Sequence, residues 1–175
     1  YCASGDVRGV IMLKKPTSNR LMEMVSPSLP KSFIRELGPV DVSLYGGTSG
    51  VAAYLQKPIL VTDIENNPLW DKNRQLAIVH GFRASLSIPL VSSNQELLGI
   101  IELYSKNIGG PNEETMKIIN IFSELASLVI EELGKNERQS ISPLALNRRH
   151  SEKRRLKKVF FELFCEFFVK TFFGE

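Results

Sequence analysis

The sequence predicts a mixed α+β fold, and three stretches carry that prediction. "RASLSIPLVSSNQELLGIIELYS" (83–105) alternates at Ala84, Leu86, Ile88 and Leu90, turns at Ser92-Ser93-Asn94, and returns through Leu98 and Ile100. That is the pattern of a long antiparallel hairpin. "RGVIMLKK" (8–15) and "RLMEMV" (20–25) form a second pair of strand-like runs, separated by Pro16-Thr17-Ser18-Asn19. Beyond Gly109-Gly110-Pro111, Asn112 is placed to cap a helix with Glu113 and Glu114 in its first turn. Met116, Ile119, Phe122, Leu125 or Ala126, and Val129 make an apolar stripe up to Leu133-Gly134.

The remaining elements follow in chain order. Pro30 opens a short helix in which Phe33, Ile34 and Leu37 share a face, and Gly38-Pro39 closes it. "VDVSLY" alternates as a third, short strand. Gly46, Gly47 and Gly50 then precede a small-residue helix running from Thr48 to Leu55. These glycines match neither a phosphate loop, which needs a lysine beside Ser/Thr, nor the three-glycine dinucleotide fingerprint, so they serve a tight strand-to-helix turn. Lys57-Pro58 breaks the helix, and "ILV" forms a strand that stops at Asp63. "NNPLWDKNRQLAIVHGF" starts a helix at Pro68, with Leu69, Leu76, Ala77 and Val79 at near-helical spacing and Gly81 as its stop.

The totals limit what such a chain does. At 175 residues and 43% hydrophobic content it fits one globular domain of ordinary size plus appendages. No apolar run approaches the roughly twenty residues of a spanning helix, and no charged-then-apolar leader begins the chain, so a soluble, cytoplasmic protein is expected. A start at Tyr1 with a strand so close behind it suggests a piece of a longer protein. Cys2 and Cys165 stand far apart, and only His80 and His150 are available as imidazoles, which argues against a disulfide scaffold or a metal site; no cofactor is expected. Residues 1–146 carry fourteen basic against fifteen acidic side chains, and residues 147–175 carry eight against four. The body is neutral and the tail basic, so nucleic acid is not an expected partner.

Four motifs in order, "SPSLPKSFI", "GGTSGVAAYLQKPILVTDI", "NPLWDKNRQLAIVHGFRASLSIPL" and "LLGIIELYS", resemble a GAF domain of the kind found in bacterial sensor histidine kinases and cyclic-dinucleotide enzymes. The resemblance covers roughly residues 3–133. It implies a central antiparallel sheet of about five to six strands with helices on both faces, and a ligand held between one sheet face and the segment from Tyr45 to Arg83. The implied function is a small-molecule-sensing or signal-relaying module of a larger signal-transduction protein, whose kinase or cyclase output domain would lie elsewhere. The resemblance also implies a helix before the first strand, for which the few residues between Tyr1 and the first strand-like run leave no expected place, and homodimers built through terminal helices. One departure matters. Relatives commonly carry SCGTA in the turn, where this chain has Thr48-Ser49-Gly50-Val51-Ala52, so thiol chemistry there is excluded. The cysteine constellation of free-methionine-sulfoxide reductases, a bilin-attaching cysteine in the domain body and the Asn-Lys-Phe signature of phosphodiesterase-type modules are missing too.

Within the implied ligand segment, Tyr45, Tyr54 and Trp70 are candidate aromatic walls, and Thr48, Asp63, His80, Arg83, Ser85 and Ser87 candidate polar contacts. Each has a structural alternative. Trp70 suits a packing plug, Asp63 a cap for Asn66-Asn67, and His80 a helix C-terminal residue, while Arg83 suits an ion pair with Asp63 or Asp71. Ser85 and Ser87 alternate with Ala84 and Leu86, so they face together. No carboxylate pair, Ser/His/Asp order or nucleophile elbow stands out, so no catalytic residue is assigned and the chain is read as a non-enzyme.

The organisation is thus a sensory domain over residues 1–134, a polar linker over 135–151 and a basic, Phe-rich segment over 152–175. Seven basic residues lie between Arg148 and Lys158, and Glu162, Glu166 and Lys170 would form a narrow polar stripe if 159–173 were helical. Fifteen residues rise only about 22 Å, so such a helix would lie on an anionic membrane surface rather than cross it. A buried partner helix and an extension without a designed role remain open for it. A ligand-free dimerisation scaffold is the other reading of the whole chain.

Overall fold

A computed structural model describes residues 7–138 apart from Pro16 and Pro27. Six strands form one sheet in the order β3-β2-β1-β6-β5-β4, with every neighbouring pair antiparallel. Two hairpins supply its centre: β1 (Val7–Lys14) with β2 (Arg20–Val25), and β5 (Ala84–Val91) with β6 (Leu97–Ser105). The β1–β6 pairing closes the two hairpins into a continuous surface, with Ile11 opposite Ile101. The expected antiparallel sheet with helices on both faces is what the chain forms.

Alternation along each strand separates two cores. Val10, Met12, Ile100 and Tyr104 point to one face, where α1 (Lys31–Leu37), α2 (Gly47–Leu55) and α3 (Arg74–Val79) cover them. Ile11, Leu13, Leu86, Ile88, Ile101 and Leu103 point to the other, against Ile119, Ala126 and Ile130 of α4 (Glu113–Arg138). The Asn112 side chain accepts the Thr115 N–H at 2.8 Å, which is the predicted cap of α4. Beyond Gly134, where the sequence predicts a stop, α4 runs on to Arg138.

Two further elements differ from expectation for local reasons. "VDVSLY" forms only the two-residue β3 (Val40–Asp41), because Val42 leaves the ladder and exchanges hydrogen bonds with Asn19 through its own N–H (3.0 Å) and carbonyl (3.1 Å). The helix expected to begin at Pro68 splits into a 3-10 turn, Pro68–Trp70, and α3. The Asn67 side chain caps the turn at Leu69 N–H (3.0 Å) and Trp70 turns into the core, whereas Val79 at the end of α3 is 71% exposed. Pro89 sits inside β5, where a proline is costly if its nitrogen must donate. The short β4 (Ile59–Val61) pairs only with Ser85–Ser87, so β5 has lost its outer neighbour at Pro89.

The glycine turn at the mouth of α2 is built by close approach as much as by backbone conformation. Gly47 has φ +66°, and a Cβ on Gly50, whose φ is ordinary, would lie 2.3 Å from the Asp41 carbonyl oxygen. This contact presses the start of α2 against β3 and aims Thr48 and Ser49 at the sheet.

Candidate functional site

β5 and β6 bring Ser85 opposite Tyr104 and Ser87 opposite Glu102, all four on the face covered by α2. The first turn of α2 adds Thr48 and Ser49, and the 3-10 turn adds Trp70. All seven residues are buried. Two hydrogen-bonded groups result. The Trp70 indole N–H donates to Ser85 Oγ at 3.1 Å, and Ser85 in turn donates to Thr48 Oγ1 at 3.4 Å. Glu102 accepts from Ser49 Oγ (2.5 Å), Tyr104 OH (2.7 Å) and Ser87 Oγ (3.1 Å). Ser49 and Ser87 hydroxyls, 3.4 Å apart, complete the ring of contacts about the carboxyl.

Glu102 is the residue that the sequence reading missed. Its side chain is only 2% exposed, and burial pushes its carboxyl pKa above the ordinary value, opposed by the hydrogen bonds from Ser49, Tyr104 and Ser87. Burial, followed by the neighbouring Glu102 charge, pushes the Tyr104 phenol well above its usual range. The signal was present in "GIIELYS". Strict alternation puts Ile100, Glu102 and Tyr104 on one face, so a glutamate stands where the core requires an inward side chain.

A cavity of about 30 Å³ opens beside this cluster, lined by Gly47, Thr48, Ser49, Trp70, Asn73 and Glu102 among others. It holds about one water. Aromatic side chains fill the core on this face: Phe33 meets Phe82 and Tyr104 edge-on at centroid distances of 5.1 Å, and Trp70 meets Tyr104 at 6.0 Å.

Of the nine sequence candidates, Thr48, Trp70, Ser85 and Ser87 converge here. The other five stand elsewhere. Tyr45 and Tyr54 are 97% and 56% exposed and wall no cavity with Trp70. Asp63 caps a turn, accepting from Glu65 N–H (3.1 Å) and Asn66 Nδ2 (2.6 Å). His80 follows α3 and packs edge-on against Phe33 at 5.2 Å. Arg83 pairs with Glu65 at 2.7 Å, rather than with Asp63 or Asp71, because Asp63 is committed to its turn and Asp71 to Arg74.

A second hollow, about 380 Å³, lies on the α4 side of the sheet between Leu60, Leu86, Ile108, Asn112, Thr115 and Ile119. Among the described residues no group of histidine, cysteine, aspartate and glutamate is placed to hold a metal ion, and no helix is long and apolar enough to cross a membrane. Cys2, Cys165, His150 and the whole segment 139–175, with its linker and membrane-surface readings, lie outside the described residues.

The family profile described as "GAF domain" matches residues 4–131, most of the chain and all six strands. The chain belongs to the GAF family. This GAF domain is 31% identical over 121 residues to the methyl sulfide methyltransferase-associated sensor of Methanosarcina acetivorans. That match spans 69% of this chain but 12% of the sensor's length. Among solved structures, a domain of a putative two-component sensor histidine kinase from Sinorhizobium meliloti superposes with a TM-score of 0.61 at 13% identity, over 76% of this chain and 85% of that one. A type II free methionine-R-sulfoxide reductase from Thermoplasma acidophilum superposes with a TM-score of 0.52 at 16% identity, over 73% and 79% of the two chains. At such identities these two likenesses speak for the fold alone.

Proposed function

We propose that this GAF domain is a cytoplasmic, small-molecule-sensing module of a larger signal-transduction protein of the histidine kinase or cyclic-dinucleotide type, and is not itself catalytic. The observation that carries the reading is the buried cluster of Thr48, Ser49, Trp70, Ser85, Ser87, Glu102 and Tyr104 beside a small cavity. A core needed only for packing would place apolar chains there, because burying a carboxyl and four aliphatic hydroxyls gives up hydration that internal hydrogen bonds only roughly restore. The relative named as a sensor supports the same reading. Against sulfoxide reduction stands the sequence of the α2 turn, which has no cysteine from Gly46 to Leu55.

Relay needs a moving or paired element, and α4 offers one. Ile121, Leu125 and Leu128 are 56%, 48% and 57% exposed at helical spacing on the side away from its buried stripe. We assign this stripe to the same helix of a second copy, giving a homodimer about a two-fold axis. A ligand-free scaffold is the competing reading, favoured by the small volume of the cavity.

Thermal-shift screening of the intact chain against nucleotides and small metabolites tests the proposal. A compound that raises the melting temperature, and loses that effect in Trp70→Ala, supports sensing. Silence across a broad library would favour the scaffold.

A further inference from the structure

We infer that the site under α2 takes a compact cation, a small protonated amine whose N–H groups bond the Glu102 carboxylate beside the Trp70 ring. The inference rests on the sensing reading above and names the ligand class of the same site.

Charge balance is the first argument. No residue lining the cavity is basic. The charged groups of the surrounding elements are engaged elsewhere or lie at the surface. Arg20 of β2 pairs with Asp41 of β3 at 2.5 Å, Arg74 of α3 with Asp71, and Arg83 with Glu65. From β1, Arg8 donates to the Ser28 carbonyl. Lys31, Arg35 and Glu36 of α1 and Lys72 before α3 are exposed, α2 and β5 carry no charged residue, and His80 packs on Phe33. Among the described residues, Glu102 is therefore a buried acid with hydrogen-bond donors but no counter-ion. A cationic ligand would supply the missing charge and displace the proton that burial favours.

Acceptor geometry is the second. Oε2 takes two donors, Ser49 and Tyr104, whereas Oε1 takes only Ser87, which leaves one acceptor direction on a group that lines the cavity. The three hydroxyl donors rotate, so one can turn to accept from a ligand N–H instead. Trp70 also lines the cavity and supplies aromatic surface there, the surroundings that an alkylammonium group prefers. Where Glu102 is ionised, an anion would meet like charge at close range, so a cation is the ligand that gains from its deprotonation.

The test uses the intact chain with ammonium and methylammonium chlorides, the cations nearest in size to the single water that the cavity holds. Sodium chloride, sodium acetate, methanol and acetamide at matched concentration are the comparisons. At least one ammonium salt is expected to raise Tm by about 3 °C over sodium chloride. Its affinity should rise about tenfold per pH unit while Glu102 is still protonated, and level off above that range. Glu102→Gln should abolish both the shift and the pH slope. Should that variant fail to fold, Tyr104→Phe, which keeps the carboxyl, must still bind the amine with the slope displaced in pH. Ammonium salts that shift nothing at any pH, or shift Glu102→Gln equally, overturn the inference. If a neutral or anionic compound stabilises the wild type but not Trp70→Ala while the ammoniums are silent, only the amine specificity falls. If no compound does so, the sensing reading falls with it.

Discussion

Ser87 and Glu102 stand directly opposite each other on β5 and β6, and the serine hydroxyl donates to the buried carboxyl at 3.1 Å. The pair joins the hairpin ladder to the polar cluster, so stability and site chemistry are linked there. The Glu102 pKa is raised in the folded state, so the native protein holds its proton more tightly than the unfolded chain. The sign follows: this group lowers stability as pH rises from the ordinary carboxyl value through the raised one. Glu102→Gln should flatten that part of the urea-midpoint profile, and Ser87→Ala should steepen it while costing about 1–2 kcal/mol. A profile identical in all three proteins would mean that Glu102 does not titrate in this range.

The α2 mouth separates two kinds of glycine requirement. Gly47→Ala meets only the positive φ and should cost about 1 kcal/mol. Gly50→Ala drives a methyl into the Asp41 carbonyl, a backbone atom that cannot rotate away, and should cost about 2–3 kcal/mol. Thermal melts rank the two, and a neutral Gly50→Ala would disprove the close approach of α2 to β3.

At the far end of the hairpin, Glu131 of α4 accepts from both Ser93 N–H (2.9 Å) and Ser93 Oγ (2.6 Å) and pairs with Lys135 at 2.9 Å. The Ser93 hydrogen bonds, aided by Lys135, hold its pKa down at about 2, against an ordinary 4.5. Its folded pKa is depressed, so the stability it contributes is present above pH 4.5 and is lost as pH falls toward 2. Glu131→Gln should be less stable than wild type at neutral pH and converge on it in acid, as read from pH-dependent unfolding.

Much of this architecture is legible in the sequence, and the misses have local causes. The two hairpins and α4 announce themselves because one face of each is apolar at the right period. The split between the Pro68 turn and α3 is hidden, because Leu69 and Leu76 lie close to helical spacing although the intervening residues form a turn. For the site, Thr48, Trp70, Ser85 and Ser87 are readable as small polar or aromatic residues beneath a lid. Tyr45, Tyr54 and Arg83 are drawn in by residue type alone, which does not show that Tyr45 and Tyr54 point to solvent and Arg83 to Glu65. Glu102 is overlooked because a glutamate in an apolar strand looks like a solvent-facing residue unless its register with Ile100 and Tyr104 is followed.

The exposed stripe of α4 makes its own prediction. Deleting residues 140–175 should leave a folded dimer by light scattering, and Leu125→Glu with Leu128→Glu should give a folded monomer with little loss of Tm, since both side chains face solvent within one copy. A wild-type chain that becomes a folded monomer on the deletion alone would move the interface to the tail.

Trp70 is the chain's single tryptophan, and it is buried against Ser85 and Tyr104, so its emission reports on the proposed site without any label. The most direct measurement is a fluorescence titration of the intact chain with each compound that raises Tm. The account predicts a saturable change in Trp70 emission with the same midpoint as the thermal shift, lost in Glu102→Gln for an amine. Stabilising compounds that leave Trp70 emission unchanged at saturation would place ligand binding outside the cluster under α2 and contradict the account.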